Sequence, residues 1–81
     1  MYVIYGIDNC KYCISAKGLL DKYNFSYEYH DVTDNKTEFL NNKSSDINNQ
    51  RTFPVIFKDN IFIGGYTKLQ NEIIFTVDED F

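Results

Sequence analysis

The chain has 81 residues, of which 43% are hydrophobic, and a formal net charge of −4. This length suits one domain with a small core, so we expect a single domain over residues 1–81. Apolar runs fall short of the roughly 20 residues that cross a bilayer, and basic stretches that would favour nucleic acid are lacking. Met1–Tyr5 lacks the basic start of a signal peptide, so we expect a cytoplasmic protein, in the host cytoplasm if the source is viral.

The first part of the chain predicts a strand, a helix and a second strand. Tyr2–Gly6 is apolar and is typical of a buried strand, and Phe25–Val32 alternates aromatic with polar residues. Between them, the spacing predicts a helix from Lys11 to about Tyr23. Its inner stripe is predicted to comprise Cys13, Ala16, Leu20 and Tyr23. A β-α-β beginning implies parallel strands joined by a right-handed crossover.

A short helix and a polar loop are predicted next. Asn35 followed three residues later by Glu38 resembles a capping box, which favours a helix within Asp34–Lys43. The segment Asn41–Gln50 is rich in Asn and Ser and is typical of a loop, with Ile47 as its apolar anchor.

The last part of the chain predicts a hairpin and a helix. The short apolar runs Pro54–Phe57 and Ile61–Ile63 flank Lys58-Asp59-Asn60, a tight turn in which Asp and Asn tolerate positive φ. From Thr67 to about Phe75 the spacing predicts a helix, with a short acidic tail over residues 76–81. Its inner stripe is predicted to comprise Leu69, Ile73 and Ile74. The predicted order is β-α-β-α-β-β-α, an α/β fold with helices flanking a four-stranded mixed sheet.

Two cysteines, Cys10 and Cys13, stand where the first strand gives way to the first helix. A C-x-x-C pair in this setting is typical of a redox-active dithiol. The helix N-terminus supplies free N–H groups and the positive end of the dipole, which stabilise a thiolate. Position therefore suggests Cys10 as the attacking sulfur and Cys13 as the resolving sulfur. We expect no metal, because zinc needs four ligands and the chain adds only a distant His30.

Two further motifs accompany the cysteines. Thr52-Phe53-Pro54 precedes the third strand, and Gly64-Gly65 follows the fourth. Together with Cys10-Lys11-Tyr12-Cys13, and in this order, they make the chain resemble the glutaredoxins, of the small dithiol C-x-Y-C type of phages and bacteria. The resemblance extends from residue 2 to about residue 75 and implies a thioredoxin-like fold.

The resemblance implies a glutathione site beside the first cysteine. The family proline is cis, which would turn the backbone of Phe53 towards an extended peptide. The amides of Tyr66 and Thr67 would hold one carboxylate of glutathione, and Arg51 the other. The glutathione-binding residues implied in this way are Tyr12, Arg51, Thr52, Phe53, Pro54, Gly65, Tyr66 and Thr67.

The function implied by the resemblance is glutathione-dependent reduction of protein disulfides and of glutathione mixed disulfides. Glutathione is then the reductant and co-substrate, and no metal takes part. The expected partners are disulfide-containing or glutathionylated proteins, among which ribonucleotide reductase is a common client of the family, and the expected state is a monomer.

Two departures from the family pattern keep alternatives open. Ile7 and Lys68 stand where the family often has a basic and an acidic residue near glutathione. A glutaredoxin-like electron donor reduced by thioredoxin reductase is therefore one alternative. An iron–sulfur carrier, with a cluster held through Cys10 of two chains, is another. That role usually goes with a single active-site cysteine, so Cys13 argues against it.

Overall fold

The computed structural model describes the backbone of residues 1–78 and the side chains of residues 1–75. A four-stranded mixed sheet is flanked by helices, which confirms the predicted fold class and element order. The elements are β1 (Tyr2–Gly6), α1 (Lys11–Lys22), β2 (Tyr27–Asp31), a 3₁₀ turn (Thr33–Asn35), α2 (Lys36–Lys43), β3 (Val55–Lys58), β4 (Ile61–Gly64) and α3 (Tyr66–Asp78).

The strand order β2-β1-β3-β4 decides which loops meet. β1 and β2 are parallel, and Gly6 lies opposite Asp31 at their carboxyl ends. β3 runs antiparallel to β1, with Val55 opposite Tyr5, and β4 runs antiparallel to β3, with Gly64 opposite Ile56. The loops after β1 and β2, the segment before β3 and the segment after β4 therefore share one edge of the sheet.

A tight hairpin joins β3 to β4, as predicted. Asp59 and Asn60 have φ values of 50° and 69°. Two successive positive φ angles are the geometry of a type I′ turn, which matches the twist of paired strands. The Asp59 carboxylate also pairs with the terminal amino group of Met1. That hydrogen bond holds the pKa of the Asp59 carboxyl below its usual range.

The main core lies between the sheet and the helices α1 and α3. Its buried members are Tyr2, Ile4, Ala16, Leu20, Ile56, Leu69 and Ile73. Two residues that were predicted to face the core are exposed instead, Tyr23 by 38% and Ile74 by 49%. Tyr23 follows the last residue of α1, where the chain leaves the helical spiral. Ile74 directly follows the buried Ile73, and the rotation between successive residues of the helix directs its side chain away from the sheet.

A second buried cluster lies against the other face of the sheet. Its members are Val32, Phe39, Leu40, Ile47 and Val55. Ile47 is fully buried, which confirms it as the anchor of the polar loop. The capping box was a wrong prediction, because the Asn35 side chain makes no cap hydrogen bond to α2. The 3₁₀ turn runs directly into α2, so the residues before the helix already follow a helical path.

The last helix is longer than the sequence pattern suggested. α3 continues to Asp78, so the predicted acidic tail over 76–81 is wrong for its first three residues, and 79–81 lie outside the described residues. Over the part of the chain that the structure describes, no helix has the length and apolar character needed to cross a membrane.

We predict opposite effects of alanine at two glycines. A Cβ on Gly6 would lie 2.8 Å from Cζ of Tyr29, whereas a Cβ on Gly18 in α1 would meet nothing within 4 Å. Gly6→Ala should lower the free energy of unfolding by about 1–3 kcal/mol, because Tyr29 must shift. Gly18→Ala should raise it by about 0.5–1 kcal/mol, because alanine is the better helix former.

Urea unfolding of the two variants measures both effects. The variants are matched controls, since each adds one methyl group. The same change in stability at both positions would contradict the packing described around Gly6.

Candidate active site

Cys10 and Cys13 lie at the start of α1 and form a disulfide, with 5.2 Å between their Cα atoms. Cys10 is the N-cap residue of the helix, with extended backbone angles (φ −112°, ψ 103°), and its Sγ accepts a hydrogen bond from the Cys13 amide at 3.1 Å. Cys13 is fully buried, whereas Cys10 is partly exposed. The geometry leaves Cys10 as the sulfur that a substrate can reach.

The local sequence explains why the cysteines adopt this arrangement. Asn9 has a φ of 51°, a left-handed conformation that asparagine tolerates better than most residues. It turns the chain sharply between β1 and α1. The first turn of α1 contains no acidic residue, and Lys11 places its Nζ 5.9 Å from the centroid of the Tyr12 ring. The N-terminal end of the helix therefore keeps its positive character around Cys10.

A groove with a volume of about 380 Å³ adjoins the cysteine motif through Tyr12. Its lining residues are Tyr12, Gln50, Thr52, Phe53, Pro54, Gly65, Tyr66, Thr67 and Lys68. All residues that the sequence suggested for this site are present except Arg51. Three separate segments thus meet at one place, as the shared edge of the sheet requires.

Two aromatic rings form one side of the groove. Tyr12, from the first turn of α1, stacks on Tyr66, from the first turn of α3, with 5.7 Å between ring centroids and 27° between ring planes. Tyr12 is 54% exposed, so its ring offers an open face. The segment before β3 also lines the groove, and its Phe53–Pro54 peptide bond is cis, as predicted.

The glycine pair has divided roles. Gly64 has a φ of +136°, and a Cβ there would lie 2.9 Å from Cγ of Lys68. Both facts require glycine at this position. Gly65 has no positive φ, and a Cβ there would come no closer than 3.7 Å to the Pro54 carbonyl oxygen. Of the two glycines, Gly64 alone has a positive φ, and Gly65 contributes backbone to the groove.

Arg51 lies outside the groove. Its Nη1 donates to Oδ1 of Asn41 at 3.0 Å on an exposed part of the surface. Lys68 lines the groove, so the cation nearest to the glycine turn comes from α3 and not from the segment before β3.

Sequence reasoning missed Gln50. Its Nε2 donates to the carbonyl oxygens of Thr52 at 2.9 Å and Pro54 at 3.0 Å. The side chain therefore holds both ends of the three-residue segment that forms one wall of the groove. The sequence did offer a signal for this role. Gln50 stands two residues before the 52–54 segment, and its amide group has two N–H donors for the carbonyl groups just before β3.

Comparison with known proteins agrees with the geometry. The family model for glutaredoxin matches residues 2–63. Glutaredoxin 1 of Rickettsia prowazekii (strain Madrid E) is 39% identical over 73 residues, covering 85% of this chain and 73% of that protein. The chain belongs to the glutaredoxin family. It is accordingly a thiol–disulfide oxidoreductase with a redox-active cysteine pair.

Solved glutaredoxins share the fold. The crystal structure of glutaredoxin 1 from Francisella tularensis, complexed with cacodylate, has a TM-score of 0.83 at 27% identity, covering 95% of each chain. A buckwheat glutaredoxin–glutathione complex has a TM-score of 0.71 at 22% identity, covering 90% of this chain and 67% of that one. The chain spans 62% to 73% of the length of the Rickettsia glutaredoxins that it matches.

We predict that Gln50→Glu weakens the fold and the site. A carboxylate would lose both hydrogen bonds and face two carbonyl oxygens, which should lower the free energy of unfolding by about 1–3 kcal/mol. The matched control is Gln70→Glu, the same chemical change at an exposed position of α3. Urea unfolding and disulfide-reductase activity compare the two, and equal behaviour would contradict the role given to Gln50.

Proposed function

We propose that this glutaredoxin uses glutathione to reduce protein disulfides and glutathione mixed disulfides in the cytoplasm, as a monomer. The observation that carries the proposal is the groove beside the cysteine motif. It brings together Tyr12, the 52–54 segment and the first turn of α3. A buckwheat glutaredoxin with the same fold has a crystal structure in complex with glutathione. Protein substrates would include disulfide enzymes such as ribonucleotide reductase.

Glutathione would bind in the groove as an extended peptide. The backbone of Phe53 would pair with it as a strand edge does, and the amides of Tyr66 and Thr67 would hold its γ-glutamyl carboxylate. Gly65 permits close approach at this point, and the open face of Tyr12 would close one side. Arg51 would bind the glycyl carboxylate by exchanging its exposed hydrogen bond to Asn41 for the ligand.

The reaction would begin with attack of the Cys10 thiolate on one sulfur of the substrate disulfide. The other sulfur leaves as a thiolate, and a mixed disulfide forms at Cys10. Cys13 then attacks Sγ of Cys10, which releases the reduced substrate and forms the Cys10–Cys13 disulfide. A first glutathione thiolate opens this bond at Cys10, and a second one takes the bound glutathione away as glutathione disulfide. Two electrons thus pass from two glutathione molecules to the substrate.

A second candidate is a glutaredoxin-like donor that is reduced by thioredoxin reductase. The position of Arg51 outside the groove favours this candidate, since the groove then offers Lys68 as its charged side chain. Here the same two cysteines would receive electrons from an enzyme and not from glutathione.

We predict that glutathione with glutathione reductase and NADPH reduces the oxidised protein, and that thioredoxin reductase with NADPH does not. The measurement is NADPH oxidation in each coupled system. Reduction by thioredoxin reductase alone would overturn the proposal in favour of the second candidate.

We further expect Arg51→Ala to raise the KM for glutathione about tenfold, as loss of a charged hydrogen bond would.

We predict different losses for the two cysteines. Cys10→Ser should abolish every reductase activity, because no other thiol is exposed at the helix N-terminus. Cys13→Ser should lose reduction of protein disulfides and keep part of the activity on glutathione mixed disulfides, since that route needs one protein thiol and free glutathione. Insulin reduction and deglutathionylation of a peptide measure the two routes. Loss of both in Cys13→Ser would contradict the two-route mechanism.

A further inference from the structure

A chain of hydrogen bonds ties the segment before Cys10 to the end of β2. The Asp8 amide donates to Oγ1 of Thr33 at 2.8 Å, and the Thr33 hydroxyl donates to Oδ1 of Asp31 at 2.6 Å. The Thr33 amide donates to the same carboxylate oxygen at 2.8 Å. These contacts connect the Asp31 carboxylate to the backbone two residues before Cys10.

The direction of these hydrogen bonds follows from the charge of Asp31. Bonds from the Thr33 hydroxyl and amide hold the pKa of the Asp31 carboxyl below its usual range, and the charge of Lys17 lowers it further. The carboxylate is therefore ionised at neutral pH and can only accept hydrogen bonds. The hydroxyl proton of Thr33 points to Asp31, which leaves an oxygen lone pair for the Asp8 amide.

The sheet places Thr33 beside the loop that leads to Cys10. β1 and β2 are parallel with Gly6 opposite Asp31, and the Val32 amide donates to the Gly6 carbonyl at 2.8 Å. The chain then leaves both strands at the same edge. Thr33, partly buried, meets Asp8 just before the left-handed turn at Asn9.

We propose that Thr33 is a positioning residue for Cys10. In the oxidised protein the disulfide itself holds Cys10 in place. In the reduced protein that bond is absent, and the position of Cys10 relative to the Cys13 amide depends on the backbone before it. By fixing Asp8, Thr33 keeps Sγ of Cys10 at the helix N-terminus, where the Cys13 amide stabilises the thiolate. This inference rests on the proposed role of Cys10 as the attacking thiol.

The test compares Thr33→Val, which keeps the shape and removes the hydroxyl, with Thr33→Ser, which keeps the hydroxyl. Thr37→Val, at an exposed position of α2, is the matched control. The first readout is the rate of iodoacetamide alkylation of Cys10 at slightly acidic pH, with peptide mapping. The second is the equilibrium between dithiol and disulfide in a dithiothreitol redox buffer, which needs no glutathione site.

We expect Thr33→Val to slow alkylation of Cys10 about threefold to tenfold and to shift the equilibrium towards the disulfide by a similar factor. A tenfold shift is about 30 mV of reduction potential. Thr33→Ser and Thr37→Val should behave like the wild type. Rescue by serine distinguishes the hydrogen-bond chain from simple packing of the threonine methyl group.

Other results of these experiments would overturn either the role of Thr33 or the role of Cys10. Wild-type behaviour of Thr33→Val overturns this inference and leaves the proposed function intact, as does an equal effect of valine and serine. Preferential alkylation of Cys13 in the wild type overturns the role of Cys10. If Thr33→Val does not fold, hydrogen exchange of the Asp8 amide in the reduced wild-type protein tests whether Thr33 fixes Asp8. Slow exchange supports the hydrogen bond to Thr33, and exchange as fast as in an unfolded peptide overturns it.

Discussion

The hydrogen bond from the Cys13 amide to Sγ of Cys10 is the contact on which the site depends. It makes a cysteine the N-cap of α1, a role that serine, threonine, aspartate or asparagine usually fills. A sulfur in this place accepts from an amide that helix geometry leaves without a partner. The contact that caps the helix therefore also stabilises a thiolate. Helix formation and thiol reactivity are consequently linked through one amide group.

The strand order brings the other segments of the site next to the cysteines. The carboxyl end of β1, the start of β3 and the end of β4 lie at one edge of the sheet because β3 is antiparallel to both neighbours. Cys10, the 52–54 segment and Gly64 are far apart in the chain and meet there. β2 is parallel to β1, so Thr33 comes to the same edge from the other side. One flank of the cysteine loop thus faces the groove, and the other flank is held by the end of β2.

Local patterns predicted the elements well and the hydrogen bonds from side chains to the backbone poorly. β1 and the hairpin turn at Asp59 and Asn60 follow from short runs of sequence, and the groove residues other than Gln50 and Lys68 follow from family motifs. Thr33 accepts from the Asp8 amide 25 residues away, and Gln50 donates to the carbonyls of Thr52 and Pro54, two and four residues further on. Periodicity carries no information on such hydrogen bonds between side chain and backbone. The capping box at Asn35 failed for a related reason, since a 3₁₀ turn in front of α2 replaced the expected cap. Tyr23 and Ile74 failed because helical spacing alone does not say where a helix ends or how wide its buried stripe is.

Charge is distributed unevenly over the chain, in a way that fits an anionic partner. The net charge is −4, yet the charged residue that lines the groove is a cation, Lys68. The Asp8 side chain is exposed, so solvent and salt screen its charge. Its backbone amide donates the hydrogen bond to Thr33. If glutathione binds as proposed, its two carboxylates and one ammonium group would be repelled by most of this acidic protein and attracted by Lys68 in the groove. Ile7 stands where the family often has a basic residue, and Lys11, one residue after Cys10, supplies a positive charge on the other side of the cysteine in the sequence.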